Sequence, residues 1–267
     1  MRFIDDLVDD RKSTSPRISE VEKQQFTAKI NDWVEVIKSS TPYDPVQKQL
    51  IETIERFQIP LWIWQIFSKS MIYDLHHDGF RSFPAFLEYA EGASVAPASI
   101  FMHLCGVVKE NGHYRPPQFD IREAAHSLAI FCYLVHIIRD FQKDQNTNLN
   151  YFADDLMAEN GLDPKMLIEI ADGGEIDPGF RKLMEKYYTF AECYRHEARQ
   201  TIDKIGTHLE PRYRLSLEVI YSLYLQIFER IDVANGRFTI AELNPSPEEV
   251  QDRIDQTIST FESGFSG

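Results

Sequence analysis

Fifteen consecutive residues, AAHSLAIFCYLVHII (124–138), contain no Asp, Glu, Lys or Arg, and Arg139, Asp140 and then Asp144 follow at once. The run is shorter than the ~20 apolar residues a bilayer-spanning helix requires, and it carries His126 and His136. It therefore reads as the middle of a buried core helix, within the longer stretch PPQFDIREAAHSLAIFCYLVHIIRDFQKDQ (116–145). A helix that is apolar all round needs other elements packed around it.

The rest of the chain supplies helices. Residues 19–40 open with a capping serine and place Val21, Phe26, Ile30, Trp33, Val34 and Ile37 near helical spacing. Residues 44–58 begin Asp-Pro, a favourable helix start. Residues 60–78, 179–205, 211–232 and 246–263 read the same way, and 82–106 read as two segments broken between Gly92 and Pro97. ENGLDP and DGGEIDPG are turn clusters, GRFTIAEL is a short isolated candidate strand, and no repeat stands out. One all-α domain over residues 1–267 is the expectation.

Charge narrows the partners. The 267 residues carry a formal net charge of −14, which excludes the basic face that nucleic acid demands and argues against simple electrostatic attachment to anionic lipid. An anionic ligand must be held by locally placed cations or metal ions. Cys105, Cys132 and Cys193 fit no disulfide or zinc spacing and read as buried packing residues in a reducing compartment. The charged first twelve residues do not resemble a signal peptide, so a cytoplasmic location is expected.

Two aspartate pairs carry the chemistry. Asp5 and Asp9 lie in MRFIDDLVDD, and Asp140 and Asp144 in HIIRDFQKD. On a helix, residues i and i+4 lie about 40° apart around the axis, so each pair presents its oxygens on one face. His136 and Asp140 share a face that begins among core residues, and a buried carboxylate must be paired, hydrogen-bonded or metal-bound. Hard carboxylate oxygens suit Mg²⁺, which binds through one or two carboxylates plus substrate phosphates. Arg2 and Arg139 stand ready to donate charge-assisted hydrogen bonds to phosphate oxygens.

RFIDDLVDD resembles the first aspartate-rich motif of the squalene/phytoene synthase family, an Arg three residues before DDxxD, and IIRDFQKD resembles the second. Tyr151 matches the tyrosine that follows the second motif. Asp74, Leu75, Phe83, Leu87 and Tyr89 match an intervening stretch, and Tyr224 and Ile231 a late helix. The resemblance runs from residue 2 to about residue 231. It implies a single-domain isoprenoid synthase (terpenoid synthase-like) helical bundle around a central cavity. The implied reaction is head-to-head condensation of two prenyl diphosphates, farnesyl or geranylgeranyl. Asp5, Asp9, Asp140 and Asp144 would hold Mg²⁺, and Arg2, Arg139 and Tyr151 the diphosphate. The implied product is squalene- or phytoene-like, formed through a cyclopropylcarbinyl diphosphate. Aromatic faces stabilise cations, and Phe80, Tyr89 and Tyr133, with His136, are the expected pocket residues. A hydrophobic product implies transient contact with a bilayer.

The chain departs from the family pattern in places. It starts four residues before Asp5, so either the family's first N-terminal helix is lacking or Met1 is internal to a longer protein. His136 stands at an asparagine position and Leu149 at an arginine position. These departures keep a second expectation open, a prenyl-lipid-binding or assembly protein of the same fold without turnover. A di-iron carboxylate bundle needs two Glu-x-x-His motifs, and Glu123 with His126 supplies only one.

Overall fold

The structure, a computed structural model, describes Met1, Ile4, Arg11, residues 18–147 and residues 149–264. It divides into two compact units, Met1–Phe80 with Pro84–His126 and Arg81–Phe83 with Ser127–Gly267. Both are helical. Among the described residues the only sheet is one two-stranded hairpin.

In the first unit, α1 (Glu20–Ser39) starts where the sequence places it, because Ser19 and Glu22 close a reciprocal capping box. Asp44 caps α2 (Pro45–Phe57), with Pro45 in its first turn. Helix α3 (Trp62–His76) buries Ile63, Trp64, Phe67, Met71 and Leu75. It meets α1 through Trp33, whose ring lies edge-on to Trp64 at 5.4 Å and to Phe67 at 6.2 Å.

Residues 83–106 correct the expectation of a break. Helix α4 (Phe83–Ala90) passes through one π-helical turn (Glu91–Val95) directly into α5 (Ala96–Gly106). Gly92 permits this: a Cβ there would lie 2.2 Å from Ser70 Oγ and 2.4 Å from the Ile66 carbonyl oxygen of α3. Ser70 Oγ in turn donates to the Tyr89 carbonyl at 2.7 Å, satisfying an oxygen at the point where the helical ladder shifts. The strands β1 (Val108–Glu110) and β2 (His113–Arg115) follow, paired Val108 to Arg115. Asn111 and Gly112 turn the hairpin with φ of 51° and 85°, the left-handed pair that a two-residue loop needs.

Helix α6 (Ile121–Asn146) is the long apolar helix expected from the sequence. It is long and apolar enough to cross a membrane by length and composition, yet about two thirds of its most apolar window is buried inside the protein. In the second unit come the short α7 (Asp154–Glu159) and α8 (Pro164–Ala171), then α9 (Pro178–Gly206) and α10 (Pro211–Phe228), and finally α11 (Ile240–Leu243) and α12 (Pro247–Ser263). Aromatic rings tie them together. Phe141 of α6 packs on Phe152 and Phe180, Phe180 on Phe238, and Phe131 on Tyr221 and Phe228 of α10. The candidate strand GRFTIAEL is instead a loop leading into α11, started by the Thr239 cap. Cys105 is buried as expected, but Cys132 is only partly covered and Cys193 is exposed, because α9 turns Cys193 away from the core.

Candidate active site

The last three turns of α6 gather four of the expected residues. His136 and Asp140, one turn apart, meet at 2.8 Å between Nε2 and Oδ2. Arg139 closes on the same carboxylate, its Nε donating to Oδ1 at 2.6 Å and its Nη2 to Oδ2 at 3.0 Å. Asp140 is 8% exposed. Burial by itself raises its pKa, but the hydrogen bonds and charges of His136 and Arg139 prevail and hold the carboxyl below the usual carboxylate range. The same bidentate contact raises the pKa of Arg139.

Asp144 lies one turn further on and has no such support. Among the described residues, no hydrogen bond or ion pair to its carboxylate is present. Burial, and then the negative charge of Asp140, push its pKa up to about 7. One helix face thus holds an ionised, well-paired carboxylate beside one that no described side chain pairs. A divalent cation could supply the missing charge, and two hard oxygen donors one turn apart would suit Mg²⁺. Among the described residues, no three His, Cys, Asp or Glu side chains are grouped closely enough to hold a metal by themselves. The Asp140–Asp144 pair could therefore serve only as a partial ligand set, to be completed by substrate oxygens or further carboxylates. The residues present fit the ion on that basis.

The aromatic candidates fall into two groups. Tyr133, two turns before Asp140 on α6, lies edge-on to Tyr151 at 6.1 Å. Phe80 and Tyr89 belong to the first unit and are 2% and 6% exposed. They pack on each other at 5.0 Å and on Tyr73 at 5.6 Å each. The Tyr89 hydroxyl donates to Asp74 at 2.7 Å. Arg2, Asp5 and Asp9 lie outside the described residues.

Tyr224 of α10 is a neighbour that the sequence marks only as part of a matched helix. Burial is the main cause of its raised pKa; Cys132 and Asp140 add to the rise and the Arg139 charge opposes it, so its phenol lies within electrostatic reach of the Arg139–Asp140 pair. No local signal in the sequence separates it from the other tyrosines of α10; a match at the right distance from the second motif is the one available clue.

The family model for squalene/phytoene synthase matches residues 1–250. The chain belongs to the squalene/phytoene synthase family. It is similar to phytoene synthase 2, chloroplastic, of Oryza sativa subsp. japonica, 23% identical over 191 residues, which are 72% of this chain and 45% of that protein. It is also similar to the chloroplastic phytoene synthase of Narcissus pseudonarcissus, 22% identical over 231 residues, covering 86% of this chain and 51% of the relative. The chain thus spans about half the length of these family relatives. Among solved structures, a dehydrosqualene synthase in complex with ligand superposes with a TM-score of 0.70 at 17% identity, covering 98% of this chain and 83% of that one. The squalene synthase HpnC from Alicyclobacillus acidocaldarius gives a TM-score of 0.60 at 12% identity, with coverages of 85% and 79%. The fold is the all-α terpenoid synthase-like fold of this family.

Proposed function

We propose that this member of a prenyltransferase family condenses two prenyl diphosphates head to head with the help of Mg²⁺. The substrates would be farnesyl or geranylgeranyl diphosphate and the product a squalene- or phytoene-type hydrocarbon. The observation that carries the reading is Asp144, a half-buried carboxylate one turn from Asp140 that no described side chain pairs. In this reading Asp140 and Asp144, together with Asp5 and Asp9, are the Mg²⁺ ligands. Bound Mg²⁺ would supply Lewis acidity at the leaving diphosphate.

The chain's own residues do the rest. His136 and Arg139 keep Asp140 ionised, so that no proton has to leave it before the cation binds. Arg139, Arg2 and Tyr151 hold the diphosphate oxygens, Arg139 by turning part of its fork from Asp140 to phosphate. Loss of diphosphate leaves an allylic cation. The double bond of the second substrate attacks it, and release of a proton closes a cyclopropylcarbinyl diphosphate; a second ionisation releases the remaining diphosphate, and rearrangement followed by loss of a proton gives the linear product. Tyr133, His136, Phe80 and Tyr89 are assigned to the pocket, where aromatic faces stabilise the cation and exclude water. The work is assigned to the cytoplasm, with transient contact at a membrane that receives the product.

A second reading is favoured by one residue. Leu149 stands where the family resemblance expects a phosphate-binding arginine, which suits a protein that binds prenyl lipid without turning it over. One experiment separates the two. Purified protein is incubated with MgCl₂ and farnesyl or geranylgeranyl diphosphate, released diphosphate is measured, and hydrocarbon is extracted. Turnover that disappears in Asp140→Asn supports the enzyme. Tight binding of prenyl diphosphate with no released diphosphate in the wild type overturns it in favour of the binding protein.

A further inference from the structure

Between α6 and α7 the chain runs as a short strap that carries Tyr151. Its first end is tied to α6, where the Leu149 N–H donates to the Asp144 carbonyl at 2.8 Å and Gln145 Nε2 donates to the Leu149 carbonyl at 3.1 Å. Its other end is tied to a single side chain from α9. The Ala153 N–H donates to the Tyr187 hydroxyl at 2.8 Å, and that hydroxyl points its own proton at the Tyr151 carbonyl oxygen, 3.5 Å away.

Tyr187 is fully buried. Its ring packs edge-on against Phe152 at 4.9 Å, Phe83 at 5.8 Å and Phe190 at 6.2 Å. Phenylalanine would satisfy that aromatic packing. A hydroxyl in such surroundings is costly unless it is hydrogen-bonded, and the partners it finds are the backbone groups on either side of residue 152. The hydroxyl thus fixes the backbone next to Tyr151 while the ring anchors Phe152 from the same direction.

We propose that Tyr187 is a positioning residue: through the Ala153 amide it holds the strap so that Tyr151 presents its phenol to the substrate diphosphate. This rests on the assignment of Tyr151 to diphosphate binding, and it adds a residue with no expected contact to substrate. Preorganisation of this kind lowers the ordering cost of binding. The loss therefore falls on affinity and KM, with little effect on kcat.

The test is a double-mutant cycle of Tyr151→Phe and Tyr187→Phe, with two readouts. One is calorimetric binding of inorganic diphosphate in MgCl₂; the other is amide hydrogen exchange of the peptide covering residues 149–153. Tyr187→Phe is expected to weaken binding about fivefold to tenfold, the worth of one buried hydrogen bond. The loss should shrink to within about twofold in the Tyr151→Phe background, the mark of two residues acting through one contact. Exchange at the strap should quicken. Ala153→Pro deletes the donor from the opposite side, at a φ of −72° that proline accepts. It should reproduce the loss if Tyr187→Phe folds poorly. Wild-type affinity in Tyr187→Phe, unchanged exchange at the strap, or an equal loss with and without Tyr151 would each overturn the positioning role. A wild type that binds no diphosphate in MgCl₂ would instead overturn the diphosphate assignment itself, and the inference with it.

Discussion

Helix α6 twice sets a carboxylate between a histidine and an arginine. In the first unit, Glu91 of the π turn accepts from Arg122 Nη2 at 2.7 Å and Nε at 3.0 Å, with His126 Nε2 at 3.3 Å from its other oxygen. In the second unit, Asp140 is held by His136 and Arg139 in nearly the same way. Both carboxyls are held below the ordinary range, Glu91 chiefly by the His126 hydrogen bond and Asp140 against the cost of burial. The difference is Asp144. At the Glu91 site the cationic partners meet the charge, and the constellation closes a joint between the π turn and α6. Beside Asp140, a second, half-buried carboxylate carries charge that no described side chain pairs. In the proposed reading it is this unpaired carboxylate, and not a partnered one, that marks the site.

The largest effect should come from removing one carboxylate at each place. In Asp140→Asn, turnover of prenyl diphosphate is expected to fall about a thousandfold, which corresponds to ~4 kcal/mol of lost transition-state stabilisation. Glu91→Gln should cost about 1 kcal/mol of stability, the ordinary worth of weakened hydrogen bonds, and leave turnover within about threefold. Steady-state assays and thermal melts check both. A Glu91→Gln enzyme as inactive as Asp140→Asn would break the contrast and make the π turn part of the chemistry.

The two constellations also predict opposite pH limbs in metal-free protein. Glu91 titrates below its unfolded value, so its contribution is present above about pH 4.3 and is lost as pH falls through the folded value. Asp144 titrates at about 7, well above the unfolded value near 3.9. Its contribution is complete below about pH 4 and is lost as pH rises through about 7, because the folded state must then hold a poorly solvated charge beside Asp140. In EDTA the melting temperature should fall on the order of 5 °C between pH 5 and pH 8. Asp144→Asn should flatten that fall, and saturating MgCl₂ should reverse it in the wild type. A wild-type melting temperature that is flat across this range would show that Asp144 is already neutralised in the protein.

The same comparison explains what the sequence made legible. Helix starts were, because they are local chemistry: Ser19 with Glu22, Asp44 with Pro45, and Ser246 with Glu249 each act within four residues. The Asp140–Asp144 spacing was legible for the same reason, since a helix turns it directly into a shared face. The continuity of α4 into α5 was not. Gly92 and Pro97 look like breakers until Ser70, nineteen residues upstream of Tyr89, takes the Tyr89 carbonyl. The β1–β2 hairpin had its signal in Asn111-Gly112, but flanking residues such as Lys109, Glu110, His113 and Arg115 hide the strands. Which carboxylate Arg139 grips, and which tyrosine holds the strap, depend on packing across thirty residues or more in the second case, and no spacing rule reaches that far.

The smallest effect is expected at Leu149, and it sharpens the meaning of Asp144. Leu149 is partly buried and its backbone is bonded to the Asp144 carbonyl, so an arginine there starts near Asp144 and, in the proposed reading, near the diphosphate. If the charge of Asp144 is kept for a metal ion, Leu149→Arg should tighten binding of inorganic diphosphate in MgCl₂ about threefold through one added charge-assisted hydrogen bond. The pH slope of the metal-free melting temperature would then stay as in the wild type. If the arginine pairs with Asp144 instead, the outcome reverses: that slope flattens, Mg²⁺ affinity drops, and diphosphate binding does not improve. Calorimetry and melts on one variant therefore distinguish a carboxylate that awaits a cation from one that merely lacked a partner.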